Sequence, residues 1–393
     1  MVFSIGSIVF MIQIKNKKDC CGCSTCVQVC PRQCITLKED NQGFLYPIVD
    51  KTICIECGLC EKKCPIIHQG EERKSLTIYA AKNRNENIRE QSSSGGIFSL
   101  LAEKVISEDG VVFGAKFDEN WMVGHSYAET IEELAAFRGS KYLQSRMEGN
   151  FQKVKEFLKQ GRKVLFSGTP CQIAGLKRFL GKEYDNLLTI DIVCHGVPSP
   201  LVWKKYLDNE CKKISAEAIT QISFRDKTKG WKNFSLKLDI KLLKDSNLIT
   251  QVEPFRKNIF MRGFLANLYL RPSCYECAFR SGKSHSDVTI GDFWGIQQFY
   301  PEFDDDKGVS LVLCNTAKGS KYFNEINVEK IETTYSIGLK GNPSLEHSVI
   351  KTKYVDEFWE TGSINNIEKI CKKKAPSLFK KIINIIVYIL NFK

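Results

Sequence analysis

Two cysteine runs near the amino terminus leave this chain little freedom. Cys20, Cys23, Cys26 and Cys30-Pro31 spell CxxCxxCxxxCP, and Cys54, Cys57, Cys60 and Cys64-Pro65 spell it again. Spacings this short wrap one loop around a cubane, and two such runs hold two 4Fe-4S clusters, the fourth cysteine of each run crossing to the other cluster. The ligand sets are then Cys20, Cys23, Cys26 and Cys64 for the first cluster, and Cys54, Cys57, Cys60 and Cys30 for the second. Proline ends each wrap, while Gly22 and Gly58 let the backbone come close enough for amide N–H groups to bond to sulfur. A pair of zinc sites is the competing reading, although zinc rarely needs the whole run. Cys21 and Cys34 fall outside the pattern and read as small buried side chains. The chain has 17 cysteines, an odd number, and ten of them precede residue 65. Their spacing suits metal ligands rather than a disulfide framework, which points to a reducing cytoplasm.

The doublet resembles that of bacterial dicluster ferredoxins. Between the runs, Ile35-Thr36-Leu37 and Phe44-Leu45-Tyr46 flank a polar stretch closed by Gly43, a hairpin signal that makes the module larger than a minimal ferredoxin. Residues 68–75 are polar and read as a linker. A chain of 393 residues suggests two or three domains, and its net charge of +12 favours acidic partners. The lysines and arginines are spread along the chain rather than gathered in one basic-aromatic stripe, so nucleic-acid readout is not expected. No HExxH, Walker loop or transmembrane span is present. Met1 to Ile14 is apolar but lacks the marks of a signal peptide, and Met11 reads as an alternative start. Ile382 to Leu390 follows five lysines, Lys372, Lys373, Lys374, Lys380 and Lys381; it reads as a docked terminal helix or as an interfacial membrane contact.

The middle of the chain contains a βαβ pattern. A strand at Lys163–Phe166 runs through Ser167-Gly168-Thr169-Pro170-Cys171 into a helix at Gln172–Leu180, and a second strand at Leu187–Val193 ends at Cys194. A crossover makes the strands parallel, so both cysteines belong at carboxyl ends, where open α/β sheets place ligands. Further strands are expected at Thr77–Lys82, Val111–Phe117, Met122–Tyr127, Val288–Ile290 and Val309–Leu313. Ser92-Ser93-Ser94-Gly95-Gly96 precedes an expected helix at Ile97–Ile106, and Arg138-Gly139-Ser140-Lys141-Tyr142 precedes one at Glu148–Lys159. Both stretches suit a phosphate, and both are equally ordinary as a helix cap or a solvated loop. Phe224-Arg225-Asp226-Lys227 and Lys229-Gly230-Trp231 set cations beside aromatics, either a clamp for an anionic substrate or an exposed hairpin loop. Asp292, in GDFWG, either orients a ligand or caps the next segment. His195 beside Cys194 is a poor nucleophile pair, because adjacent residues on a strand point apart. Cys211, Cys314 and Cys371 read as packing residues, and little can be read beyond Asn315.

The stretches SSSGGIFSLLAEKVI, GSKYLQS, FSGTPCQIAGL, DIVCHGVPSP, FRDKTKGW and CYECAFRSGKSHSDVTIGDFWG, together with the dicluster module, resemble the family of coenzyme F-420 hydrogenase/dehydrogenase beta subunits. The resemblance runs from about Ile12 to about Asn315 and implies a flavoprotein that binds FAD and one additional 4Fe-4S cluster. It also implies electron exchange between an iron-sulfur carrier and a hydride acceptor, a deazaflavin in methanogens and a chlorophyll derivative in plant relatives. Cys171, Cys194, Cys274 and Cys277 make a four-thiolate set suited to iron-sulfur or to zinc, and the resemblance favours the cluster. With no GxGxxG present, FAD rests on the resemblance. Its candidate contacts are Ser94, Gly95, Gly96, Ser140, Lys141, Ser167, Gly168 and Thr169.

The fold class expected is α+β and α/β: a bacterial-ferredoxin-like dicluster module at 11–70, then a mixed α/β flavoprotein domain containing the βαβ unit. That domain divides into an N-terminal region at 76–160 and a C-terminal region at 161–335, followed by an extension with a basic, apolar tail at 336–393. The functional expectation is an iron-sulfur flavoprotein oxidoreductase working in either direction between a ferredoxin or other redox partner and a small hydride acceptor or donor. A relay subunit without a substrate site and a metal-stabilised binding protein are the alternatives.

Overall fold

The computed structural model describes residues 11–244 and 247–374. The extension before Met11 and the tail at 382–390 lie outside the described residues. In the ferredoxin-like module, β1 (Ile35–Glu39) and β2 (Leu45–Val49) form the expected antiparallel hairpin. Asp40 Oδ1 accepts the amides of Gln42 and Phe44, both at 2.9 Å, and so shapes the turn.

The remaining strands are β3 (Thr77–Asn83), β4 (Val111–Phe117), β5 (Val123–Ala128), β6 (Val164–Gly168), β7 (Leu187–Ile192), β8 (Ala216–Asp226), β9 (Ser235–Leu242), β10 (Leu248–Pro254), β11 (Val288–Asp292), β12 (Ser310–Cys314) and β13 (Val328–Thr333). Eight of them form one sheet in the order β13-β3-β12-β11-β7-β6-β4-β5. The four central strands β4, β6, β7 and β11 pair in parallel, and the outer pairs are antiparallel. The sheet draws strands from both sides of residue 160, so one hydrophobic layer is continuous across that point. Helices cover both faces. Ile97–Ser107 and Ala317–Asn324 pack on one, and Asn150–Lys159 and Pro170–Leu180 on the other. That double burial explains why β6 reads as the unbroken apolar run Val164-Leu165-Phe166.

The crossover from β6 to β7 is parallel, as expected. Its helix begins at Pro170, two residues earlier than the sequence suggested. Proline at the first helical position leaves no amide wanting a partner, and Gln172 Oε1 accepts the Thr169 amide at 2.9 Å. Cys171 therefore sits in the first helical turn. The chain beyond Asn315, which the sequence left unread, supplies the edge strand β13 and the helices Tyr354–Thr361 and Asn366–Lys374. Those helices close a second core under the three-stranded sheet β10-β9-β8, around Trp203, Phe224, Phe260 and Phe358.

Candidate functional site

The carboxyl edge of the parallel strands meets the ferredoxin-like module, and three groups of thiols lie across the junction. Cys30, Cys54, Cys57 and Cys60 border one small cavity, with Cys34 beside them at 3.4 Å from Cys30 Sγ. Cys20, Cys23, Cys26 and Cys64 are mutual neighbours: burial, and then the charges of Cys23, Cys20 and Cys64, push the Cys26 thiol well above its usual range. The third set is Cys171, Cys194, Cys274 and Cys277. Burial pushes Cys194 up, and Cys274, Cys171 and Cys277 push it further. Cys274 rises to about 12, chiefly through burial. Cys23 and Cys171, by contrast, are held lower by their hydrogen bonds to Cys21, and four crowded thiolates would be tolerable beside the positive charge of an iron centre. Among the described residues, no three His, Cys, Asp or Glu side chains close on a point as they would around a single ion.

The groups abut one another. Cys26 and Cys64 pack with Cys30, Cys54 and Cys60 in one apolar cluster. Cys21 and Cys23 pack with Cys171 and Cys277 in another. The second contact requires Gly175: a Cβ there would stand 2.9 Å from Cys23 Cβ. Cys21 is buried, as expected, but it is more than filler, because its free thiol packs between Cys23 and Cys171, close enough to hydrogen-bond with both. Next to the third group, with Thr169 between them, lies a cavity of about 270 Å³. Thr169, on the cavity wall, has its hydroxyl 3.1 Å from Cys171 Sγ.

Seven of the eight proposed flavin contacts border this cavity: Ser94, Gly96, Ser140, Lys141, Ser167, Gly168 and Thr169. Gly95 does not. Its amide donates to Ser310 Oγ at 3.0 Å, and a Cβ would stand 2.4 Å from the Ala81 carbonyl, so it is a close-packing residue between β3 and β12. The hydroxyls of Ser94 and Ser167 are also engaged, donating to the carbonyls of Val309 at 2.8 Å and Phe113 at 2.9 Å. What the cavity offers an anion is therefore charge and open amides. The helix Ile97–Ser107 starts at Gly96 with no side-chain cap. Lys141 Nζ donates to the carbonyls of Arg138 and Gly139, each at 3.1 Å, and no carboxylate among the described residues pairs with it. Burial brings this ammonium down to about 7. An uncapped helix start and an unneutralised lysine in one pocket fit the diphosphate of a dinucleotide.

Two features of the wall were not legible beforehand. His125 is buried between Ser145 and Ser167: Nδ1 accepts from the Ser145 hydroxyl at 2.6 Å and Nε2 donates to the Ser167 carbonyl at 2.9 Å. The ring stacks on Phe166. Burial lowers His125 to about 4, so it is neutral. An unfolded histidine titrates near 6.5, so the unfolded state takes up the proton first as pH falls. Stability is therefore expected to decline between about pH 6.5 and 4, by about 3 kcal/mol at most, and to show no further His125 contribution below that window. Denaturation of wild type and His125→Gln across this range checks it; parallel pH profiles would refute it.

The second feature is Arg225. It does not face a ligand from an exposed loop. Its guanidinium is buried and bonds Asp292 through both oxygens at 2.7 and 2.8 Å, with the Phe234 ring 4.1 Å away. Trp231 donates to the same carboxylate at 2.8 Å and stacks on Trp294. Lys227 is likewise turned inward, onto the carbonyls of Arg89, Ser94 and Lys307. Both cations are spent on internal partners behind the cavity wall rather than held out on an exposed loop, and Asp292, which borders the cavity, pairs with Arg225 instead of capping the next segment.

The family of coenzyme F420 hydrogenase/dehydrogenase beta subunits matches this chain in two parts, its carboxyl-terminal region over residues 161–337 and its amino-terminal region over residues 78–149. The chain belongs to this family. A 4Fe-4S dicluster domain matches residues 19–66, which makes it an iron-sulfur member. A component of the F(420)H(2) dehydrogenase of Methanosarcina mazei is 24% identical over 90% of this chain and 93% of its own length. Coenzyme F420-dependent sulfite reductase of Methanocaldococcus jannaschii is 24% identical over 88% of this chain, which spans only 53% of that protein. A solved chain from the F420-reducing [NiFe] hydrogenase complex of Methanosarcina barkeri superposes with a TM-score of 0.41 at 18% identity, over 77% of this chain and 92% of that one. No helix among the described residues is long and apolar enough to cross a membrane.

Proposed function

We propose that this family member is an iron-sulfur flavoprotein oxidoreductase that links a one-electron carrier protein to a small hydride acceptor or donor. The observation that carries the reading is the continuity of the thiol groups: three sets of four abut in sequence, and Thr169 joins the last of them to a cavity suited to an anionic dinucleotide. FAD bound there would exchange single electrons on one side and a hydride on the other. Lys141 and the amides following Gly96 hold its diphosphate in this reading. His125 fixes the Ser167 carbonyl, and the Arg225–Asp292 pair stiffens the wall at the ends of β8 and β11. The names of the relatives make coenzyme F420 the first acceptor to test.

Anaerobic preparation should yield about twelve irons per chain, as three 4Fe-4S clusters require, and a flavin spectrum. A preparation with no flavin that still passes electrons to a protein partner would favour a pure relay. One without iron beyond a stoichiometric metal would overturn the proposal.

The carrier has an identifiable approach. Lys62, Lys63, Lys177, Arg178, Lys182 and Lys283 line a groove of about 370 Å³ in which Glu183 is the one acid among the lining residues. Its wall includes Pro65 and Ala174, the latter packed on Cys21 and Cys23. An acidic ferredoxin-like protein fits this charge. The double variant Lys62→Glu/Lys182→Glu should lower kcat/KM for the reduced carrier about tenfold at low ionic strength, with the difference fading as salt screens it. A salt-independent defect, or none, would place docking elsewhere.

A further inference from the structure

Among the described residues, four arginines are at least nine-tenths buried: Arg89, Arg225, Arg271 and Arg280. Two have a carboxylate partner, Asp305 for Arg89 and Asp292 for Arg225. The other two have none among the described residues, and both face cysteines of the thiol groups.

Arg271 is fully buried. Its Nε donates to the Cys20 carbonyl at 2.8 Å, Nη1 donates to Gln144 Oε1 at 2.8 Å, and Nη2 donates to the Leu45 carbonyl at 3.0 Å and reaches Cys20 Sγ at 3.5 Å. The Tyr46 ring lies 4.3 Å from the guanidinium carbon. Gly22 marks how closely the cation presses on the cysteine loop: with φ at +73°, it would place a Cβ 2.9 Å from that carbon. Arg280 lies at the third group. It donates to the carbonyls of Cys194 and Ser344 through Nη1 and to that of His195 through Nη2 at 3.4 Å, while its Nε has no hydrogen-bond partner.

A guanidinium taken out of water costs several kcal/mol unless an anion compensates it, and carbonyl dipoles supply only part of that. The protein meets this cost with carboxylates at Arg89 and Arg225. At Arg271 and Arg280, the available anions are the thiolates themselves, once they are ligands. A thiolate-ligated 4Fe-4S cluster carries net negative charge, and one unit more when reduced. A fixed cation beside it therefore stabilises the reduced form more than the oxidised form.

We propose that Arg271 and Arg280 are the built-in countercharges of the first and third clusters, respectively, each holding up the reduction potential of its own cluster. The inference rests on the cluster assignment above, and its test separates the two. Iron content and the number of distinct EPR signals in the unaltered full-length protein examine the assignment. Redox titrations of the variants, followed by EPR, examine the inference.

Arg271→Gln should reduce the equilibrium constant for reduction of one cluster tenfold or more, about 59 mV for one electron. Arg280→Gln should do so for a different cluster. The cluster of Cys30, Cys54, Cys57 and Cys60 serves as internal reference and should not move in either variant. Arg271→Lys and Arg280→Lys keep the charge and should stay close to wild type. Unmoved potentials, or an equal fall in all three clusters, would overturn the proposal. If a glutamine variant loads no iron, the lysine variant at that position decides: a wild-type potential sustains the proposal, and a potential lowered tenfold or failure to load iron overturns it.

Discussion

With three 4Fe-4S clusters held as proposed, replacing Cys194 with serine should remove about four of twelve irons and leave the remaining eight in place, because one cluster would lose a ligand while two would keep all of theirs. Cys194 lies two residues beyond β7, partly buried beside Cys171, Cys274 and Cys277, and no other cysteine stands ready in that group to take its place. The eight cysteines assigned to the other two clusters lie between Cys20 and Cys64, in a module with its own hairpin and loops. Carrier-driven reduction of those two clusters should therefore persist. Reduction of a flavin in the cavity by the carrier should fall to background, since the group of thiols that touches Thr169 would be empty. Iron analysis and EPR of the variant measure the first effect, and stopped-flow flavin bleaching measures the second. Full iron content would show that this segment is only a well-packed βαβ unit.

Asp292→Asn should destabilise the protein by about 3–5 kcal/mol, the usual consequence of stripping the partner from a buried ion pair. The Arg225 side chain is 3% exposed and Asp292 is 16% exposed, so water reaching the cavity side of Asp292 would replace the carboxylate only in part. Without it, the guanidinium keeps Tyr142 Oη at 3.1 Å and the rings of Phe234 and Trp294, which supply far less than a bidentate carboxylate. Trp231 would lose its charged acceptor at the same time. Because Asp292 ends β11 and borders the cavity, flavin affinity should fall together with stability. The double variant Arg225→Met/Asp292→Leu should recover much of the lost stability, since an apolar pair of similar volume carries no desolvation cost. Chemical denaturation of the three variants checks this; a loss below about 1 kcal/mol for Asp292→Asn would mean the pair is solvated or dispensable.

These two sites differ in how they could be read. Cys171 and Cys194 were legible because a local pattern, strand then helix then strand, dictates where their side chains end up. Arg225 and Asp292 were visible as residues but not as partners: 67 positions separate them, and neither periodicity nor spacing encodes which buried acid will meet which buried base. His125 gave no signal at all, standing alone in a strand with its partners at Ser145 and Ser167. Gly95 was misread for the converse reason. A glycine before a helix looks available to a ligand, and only the approach of β3 and β12 shows that its space is already filled.

What the sequence determined by itself was everything that depends on short loops: the two cluster runs, the hairpin between them, and the crossover that carries two cysteines to one sheet edge. Ring closure over a few residues is stereochemically narrow, so the spacing is nearly the structure. The tertiary fold decided the rest. It inserted β3 between β12 and β13, set Cys21 between two thiol groups, and gathered lysines from 62–63, 177–182 and 283 into one groove although they are scattered along the chain. It also turned two arginines toward cysteines with no carboxylate beside them among the described residues. Contacts of that kind are set by how whole elements pack against one another, and the cost of a buried charge shows only when its surroundings do.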